Sequence, residues 1–89
     1  MKTISIIVSG KVQGVYYRQS TRKQALSLHI NGTVKNNADG SVSIIATGTQ
    51  EQLDQLISWC KQGPPLAKVG HITVTDMPLT SYDDFSILR

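Results

Sequence analysis

One cysteine, Cys60, is all the chain has, so no intramolecular disulfide can form, and no Cys/His pairing has the spacing of a zinc site. A reducing cytoplasm is therefore the expected compartment. No apolar run approaches the roughly 18 residues of a membrane-spanning helix, and the composition, 39% hydrophobic and 17% charged, is that of an ordinary globular protein. The opening MKTISIIVSGK carries only a short β-branched patch alternating with Ser and Thr, which is expected to be a strand rather than a signal peptide. Aromatic residues are scarce, at 6%, and the runs ISIIVSG and VSIIATG offer no ring on which a base could stack. The net charge of +3 is scattered, with Arg18, Arg22 and Lys23 as its one local cluster, so no nucleic-acid stripe is visible. A mild positive balance suits an anionic ligand without demanding one. Asp39, Asp76, Asp83 and Asp84 lack the pairing that a metal requires and read as loop and cap residues. Neither a nucleic-acid nor a membrane partner is expected, and no metal.

What is present fits one compact domain over residues 1–89. Thr3 to Val12 alternates, with Ile4, Ile6 and Val8 on one face and Thr3, Ser5 and Ser9 mostly on the other, until Gly10 and Gly14 break the pattern. From Tyr17 to Leu28 the residues Tyr17, Thr21, Ala25 and Leu28 recur at helical spacing. Gly32 to Asn36 and Ser41 to Thr47 read as two strands around Asn37-Ala38-Asp39-Gly40, whose Asp-Gly pair suits an antiparallel hairpin. A second helix is announced by Thr49 with Gln52 three residues on, a capping box. It carries the stripe Leu53, Leu56, Ile57, Cys60 and ends at Gly63-Pro64-Pro65. Val69 to Thr75 and Phe85 to Leu88 complete the set as strands. The order β-α-β-β-α-β with a short final strand predicts an α+β, ferredoxin-like split βαβ sandwich: an antiparallel sheet with both helices on one face. That fold hosts many functions, so the function has to come from a site.

The stretch GKVQGVYYR, Gly10 to Arg18, is where a strand ends in a glycine turn and a helix begins. Such a junction leaves backbone N–H groups unpaired and able to converge on an anion. Gly14 removes a Cβ from the approach, and Arg18 adds a planar fork able to hold two phosphate oxygens. A phosphoryl group is the natural guest, but no Gly-Lys-Ser/Thr follows, so this is no Walker loop. Taken alone, the stretch is more commonly a plain turn with a solvated arginine. Asn36 shares the parity of Val34 and so points to the helix side of the sheet if Val34 does. Its amide can donate and accept, which suits holding a water in line with phosphorus. Taken alone, it is more commonly a turn asparagine.

GKVQGVYYRQSTRKQA, NGTVKNNADGSV, WCKQGPPLAKV and the closing DDFSILR together resemble the acylphosphatases, in order, without insertions and nearly end to end. The pattern G-x-V-Q-G-V-x-[FY]-R is specific, and its combination with G-x-V-x-N much more so, which outweighs the plain reading of each piece. The resemblance implies hydrolysis of the carboxyl-phosphate bond of small acyl phosphates to a carboxylate and inorganic phosphate, with no cofactor. It implies Arg18 as phosphate ligand, Asn36 as the residue that positions water, and a phosphate-binding loop of Gln13, Gly14, Val15, Tyr16, Tyr17 and Arg18. A monomer is expected. The alternatives, both expected to rank behind a free-standing enzyme, are a catalytically inactive ferredoxin-like module that binds an anion or a partner, and the acylphosphatase-like N-terminal domain of hydrogenase-maturation carbamoyltransferases. Two positions depart from the family's pattern. Thr33 stands where members usually carry Trp, and its parity predicts the open face of the sheet. His29 stands where they usually carry Gly after the first helix, which predicts a positive φ there at a cost of about 1 kcal/mol. His29 and His71 lie outside the motif and are expected to be structural or exposed, Cys60 to be a buried small hydrophobe, and Trp59 to sit at the edge of the second helix's stripe.

Overall fold

A computed structural model describes residues 1–88; Arg89, the last residue of the closing motif, lies outside the described residues. The elements are β1 (Lys2–Lys11), α1 (Tyr17–Ser27), β2 (Asn31–Asn36), β3 (Val42–Gly48), α2 (Gln50–Cys60), β4 (Lys68–Met77) and β5 (Phe85–Ile87). The strands form one sheet in the order β4-β1-β3-β2-β5. The four longer strands pair antiparallel as expected, and the short β5 adds to β2 in parallel.

Register explains both the core and the site. Ile4, Ala46, Gly32 and Phe85 stand in one cross-sheet row, Ile6, Ile44, Val34 and Ile87 in the next, and Val8, Val42 and Asn36 in the third. Because side chains alternate along a strand, these rows share one face. Both helices pack on it, α1 over β2 and β5, α2 over β1 and β3. Ile6, Val8, Val34, Val42, Ile44 and Phe85 are fully buried there, beneath Ala25 of α1 and Leu53, Leu56 and Cys60 of α2. At about 1.5–3 kcal/mol for each large apolar side chain, these rows are the main stabilising term. Asn36 ends the third row, so a polar side chain sits where the apolar core stops.

The other face of the sheet is covered at one end. Since β4 and β5 occupy opposite edges, residues 78–84 have to cross it. The Thr80 N–H donates to Thr3 Oγ1 (2.9 Å), Thr47 Oγ1 donates to the Thr80 carbonyl (2.7 Å), and Asn31 Nδ2 donates to the Tyr82 carbonyl (2.9 Å). That crossing buries Thr3 and Thr47, although alternation assigns Thr3 to the outward side. Thr33 lies in the row of Ser5, Ile45 and Ser86, on this same face, as its parity predicts.

The two helices end and begin differently. α1 closes with the Ile30 N–H donating to the Ala25 carbonyl (2.9 Å) and the His29 N–H donating to that of Leu26 (3.2 Å), a Schellman arrangement. It places His29 at φ 59, the positive value expected of that position. α2 opens on the reciprocal Thr49–Gln52 capping box. α1 has no side-chain cap and no acidic residue in its first turn, so its N-terminal amides and the positive end of its dipole face the loop before it.

Candidate active site

The loop between β1 and α1 is built by two left-handed residues. At Gly10, φ is 119 and the β1–β4 register shifts; a Cβ there would collide with the Lys68 carbonyl, so glycine permits the bulge that turns the chain out of the sheet. Gly14 (φ 73) and Tyr16 (φ 64) then alternate with other residues, the pattern that turns successive N–H groups toward one concave side. Among the described residues, no N–H from Gln13 through Arg18 donates a backbone hydrogen bond. A Cβ on Gly14 would meet nothing within 4 Å, so its requirement is the backbone angle and the open space in front of it.

Side chains pin this loop from behind. Val12, Val15 and Tyr17 are buried in the core at 1%, 4% and 1% exposure and so hold the loop to it. Tyr17 anchors the start of α1: its hydroxyl donates to the Cys60 carbonyl (2.8 Å), its ring packs on Trp59 at 5.4 Å, and Thr21 Oγ1 donates to its carbonyl (2.8 Å). Burial, aided by the neighbouring Cys60, holds the Tyr17 phenol far above its ordinary range, so it stays a neutral donor. Burial likewise pushes the Cys60 thiol up to about 12, against a smaller opposing effect of the nearby Tyr17 hydroxyl. A thiol in that state is no nucleophile.

A cavity of about 240 Å³ opens in front of the loop, lined by Val12, Gln13, Gly14, Tyr16, Tyr17, Arg18, Gln19 and Asn36. It is smaller than the roughly 300–1,000 Å³ of sites for drug-sized ligands, and among the described residues Arg18 is the one charged residue in its lining. Arg18 makes a single long contact, Nη1 to the Leu88 carbonyl at 3.5 Å, which leaves most of its five donors unengaged by the described residues. The neighbouring Arg22 is occupied, donating from Nε to the Phe85 carbonyl (3.0 Å). Asn36 also lines the cavity, and its Oδ1 is buried with no hydrogen-bond partner among the described residues. A buried acceptor left unpaired costs about 1–3 kcal/mol, so it marks a place where a donor belongs. The cavity therefore lies between a loop of unpaired amides, a cation and an asparagine whose amide oxygen is unpaired. It can hold a small anion and, beside it, a hydrogen-bond donor such as water.

The fold thus assembles Gln13, Gly14, Tyr16, Tyr17, Arg18 and Asn36 around one space, while Val15 supports the loop from the core. His29 at the end of α1 and His71 on β4 do not line it. Two features escape the sequence. The left-handed backbone of Tyr16 carries no local signal, because tyrosine rarely adopts it. The fixed bonding of the Gln13 side chain, described below, depends on strands that are distant in sequence.

The chain matches the family model described as Acylphosphatase over residues 4–87. It is 42% identical over 90 residues to an acylphosphatase of Methylococcus capsulatus, covering all of this chain and 98% of that one. The crystal structure of an acylphosphatase from Bacillus subtilis superposes with a TM-score of 0.97 at 38% identity, covering 100% of both chains. The HypF of T. kodakarensis also contains this fold, at TM-score 0.83 and 33% identity over 98% of this chain, but only 12% of that longer chain is matched. Loop, cavity and full-length similarity agree, and the chain belongs to the acylphosphatase family.

Proposed function

We propose that this acylphosphatase works through the cavity between the β1–α1 loop and Asn36, cleaving small acyl phosphates without a cofactor. The phosphoryl group seats against the unpaired amides from Gln13 to Tyr17 and is neutralised by Arg18, whose fork spans two oxygens. A water donates a hydrogen bond to Asn36 Oδ1, which turns its lone pair toward phosphorus on the side opposite the acyl oxygen. Its oxygen forms the new P–O bond as the bond to the acyl oxygen breaks. The carboxylate leaves, and the water's proton passes to a phosphate oxygen. Because a carboxylate is a good leaving group, positioning and charge neutralisation suffice without a strong base. Asn36 lining the same small cavity as Arg18, with its buried amide oxygen left unpaired among the described residues, is the observation that carries this reading.

Residues 1–89 act in this reading as one catalytic domain, a cytoplasmic monomer whose partner is the substrate alone. The test is phosphate release from acetyl phosphate with EDTA present, against a phosphate monoester as control. Hydrolysis of the first and not the second is expected. Activity on neither would shift the reading to an anion-binding module, and loss of activity in EDTA would reintroduce a metal.

A further inference from the structure

The two halves of the site come from strands that do not touch. The anion loop leaves β1, Asn36 ends β2, and β3 lies between them. One side chain spans the gap. Gln13 Nε2 donates to the carbonyl of Asn37 (2.9 Å) and to that of Ser41 (2.8 Å), so both of its N–H donors are engaged and neither is left for a ligand. Those carbonyls belong to a stiff turn. The Asn37 N–H donates to the Ser41 carbonyl (2.8 Å), and Asn37 Nδ2 donates to Ser41 Oγ (2.9 Å) and Ser43 Oγ (2.7 Å). Asp39 Oδ1 accepts from the Ser41 N–H (2.9 Å) and Oγ (2.6 Å). Asn36 is the residue immediately before this turn, so wherever the turn sits, the Asn36 amide sits with it.

We infer that Gln13 is a positioning residue, whose carboxamide fixes the distance between the phosphate-holding loop and the Asn36 amide by tying that loop to the 37–41 turn. This rests on the roles proposed above for Arg18 and Asn36. The bridge matters more for turnover than for binding. In that proposal phosphate is held from the loop side alone, by the amides and by Arg18 in the first turn of α1. The attacking water is held from the far side, and its alignment with phosphorus is the quantity a loosened bridge spoils. Misplacement by about 1 Å costs as much as 100-fold in rate.

The experiment measures kcat and KM for acetyl phosphate and the dissociation constant for inorganic phosphate in four proteins: wild type, Gln13→Met, Asn36→Ala and the double variant. Methionine keeps length and removes both donors. Gln13→Met is expected to lower kcat at least about tenfold while phosphate affinity stays within about threefold, and to lower kcat less than about twofold when Asn36 is already alanine. An equal loss of kcat in both backgrounds, or a parallel loss of phosphate affinity, would overturn the inference and leave Gln13 as a general support of the loop. Wild-type kcat in Asn36→Ala would instead overturn the proposed mechanism, whatever Gln13→Met does. Gln13→Glu supplies a second readout within a single folded protein. Its carboxylate faces two carbonyls at neutral pH, and protonation restores one donor. Its kcat relative to wild type should therefore rise as pH falls toward 5, and a flat ratio counts against the bridge.

Discussion

Replacing Asn36 with alanine should separate activity from stability, because the feature that makes this side chain useful is one that folding alone disfavours. Its Oδ1 is buried without a partner among the described residues, a state that costs up to about 1–3 kcal/mol when no water fills it. Alanine removes that penalty. Against it stands the lost packing of the amide carbon, worth about 0.8 kcal/mol on the scale of a buried CH₂. Truncation enlarges the cavity that Asn36 already lines and so leaves no separate sealed void. Asn and Ala are both poor strand formers, so the propensity of β2 changes little. The variant should therefore be as stable as wild type or more so, by up to about 2 kcal/mol, and each kcal/mol raises Tm by about 4–8 °C in a domain of this size. Turnover should fall about 10²–10³-fold, the range seen when one preorganised donor or acceptor is removed from a reacting centre. Phosphate binding should persist, since Arg18 and the loop amides remain. The assays are phosphate release from acetyl phosphate, thermal unfolding, and calorimetric titration of inorganic phosphate. A kcat within threefold of wild type, or a Tm lowered by more than a few degrees, would refute the reasoning and make Asn36 a structural strut.

Other perturbations address the rest of the site. Arg18→Ala should lower kcat/KM at least about 100-fold and weaken phosphate binding, and Arg18→Lys should recover little, since a point charge cannot replace a planar fork; steady-state kinetics and titration check both. Tyr16→Gly should stabilise the fold by about 1 kcal/mol, because the side chain is 68% exposed and its φ is 64, whereas Tyr16→Val should destabilise it by about 1–2 kcal/mol; denaturant midpoints decide. Cys60 should react with thiol reagents only as fast as the protein opens, so labelling rates should follow denaturant concentration rather than the pH of the native state. The Asp39 carboxyl is held below its ordinary 3.8 by the Ser41 hydroxyl and amide. Its contribution is thus present above that value and lost as pH falls through the lowered one, so an acid-induced loosening of the turn below about pH 4 should weaken in Asp39→Asn.

How much of this was legible in the sequence depends on the range over which each signal acts. The capping box of α2, the Asp-Gly turn and the alternation of β1 are written within a few residues, and each element stands where its signal placed it. The inward face of Asn36 was also legible, because parity with Val34 is a local property and the register with Val42 and Val8 simply extends it. The positive φ at His29 was readable only through the family pattern, which usually places glycine after the first helix, since many helices end without a left-handed residue. The crossing of residues 78–84 over Thr3 and Thr47 was not, since it follows from β4 and β5 lying on opposite edges, a fact about topology that no window of sequence contains. Gln13 belongs to that second kind. As a letter it sits in the middle of an anion-binding motif and suggests a ligand. Its two donors are engaged by carbonyls 24 and 28 residues away, and a side chain with no donor left cannot reach the phosphate with one. The motif therefore holds two different functions at neighbouring positions: amides that face the anion, and a carboxamide that sets how far the other half of the site stands from it.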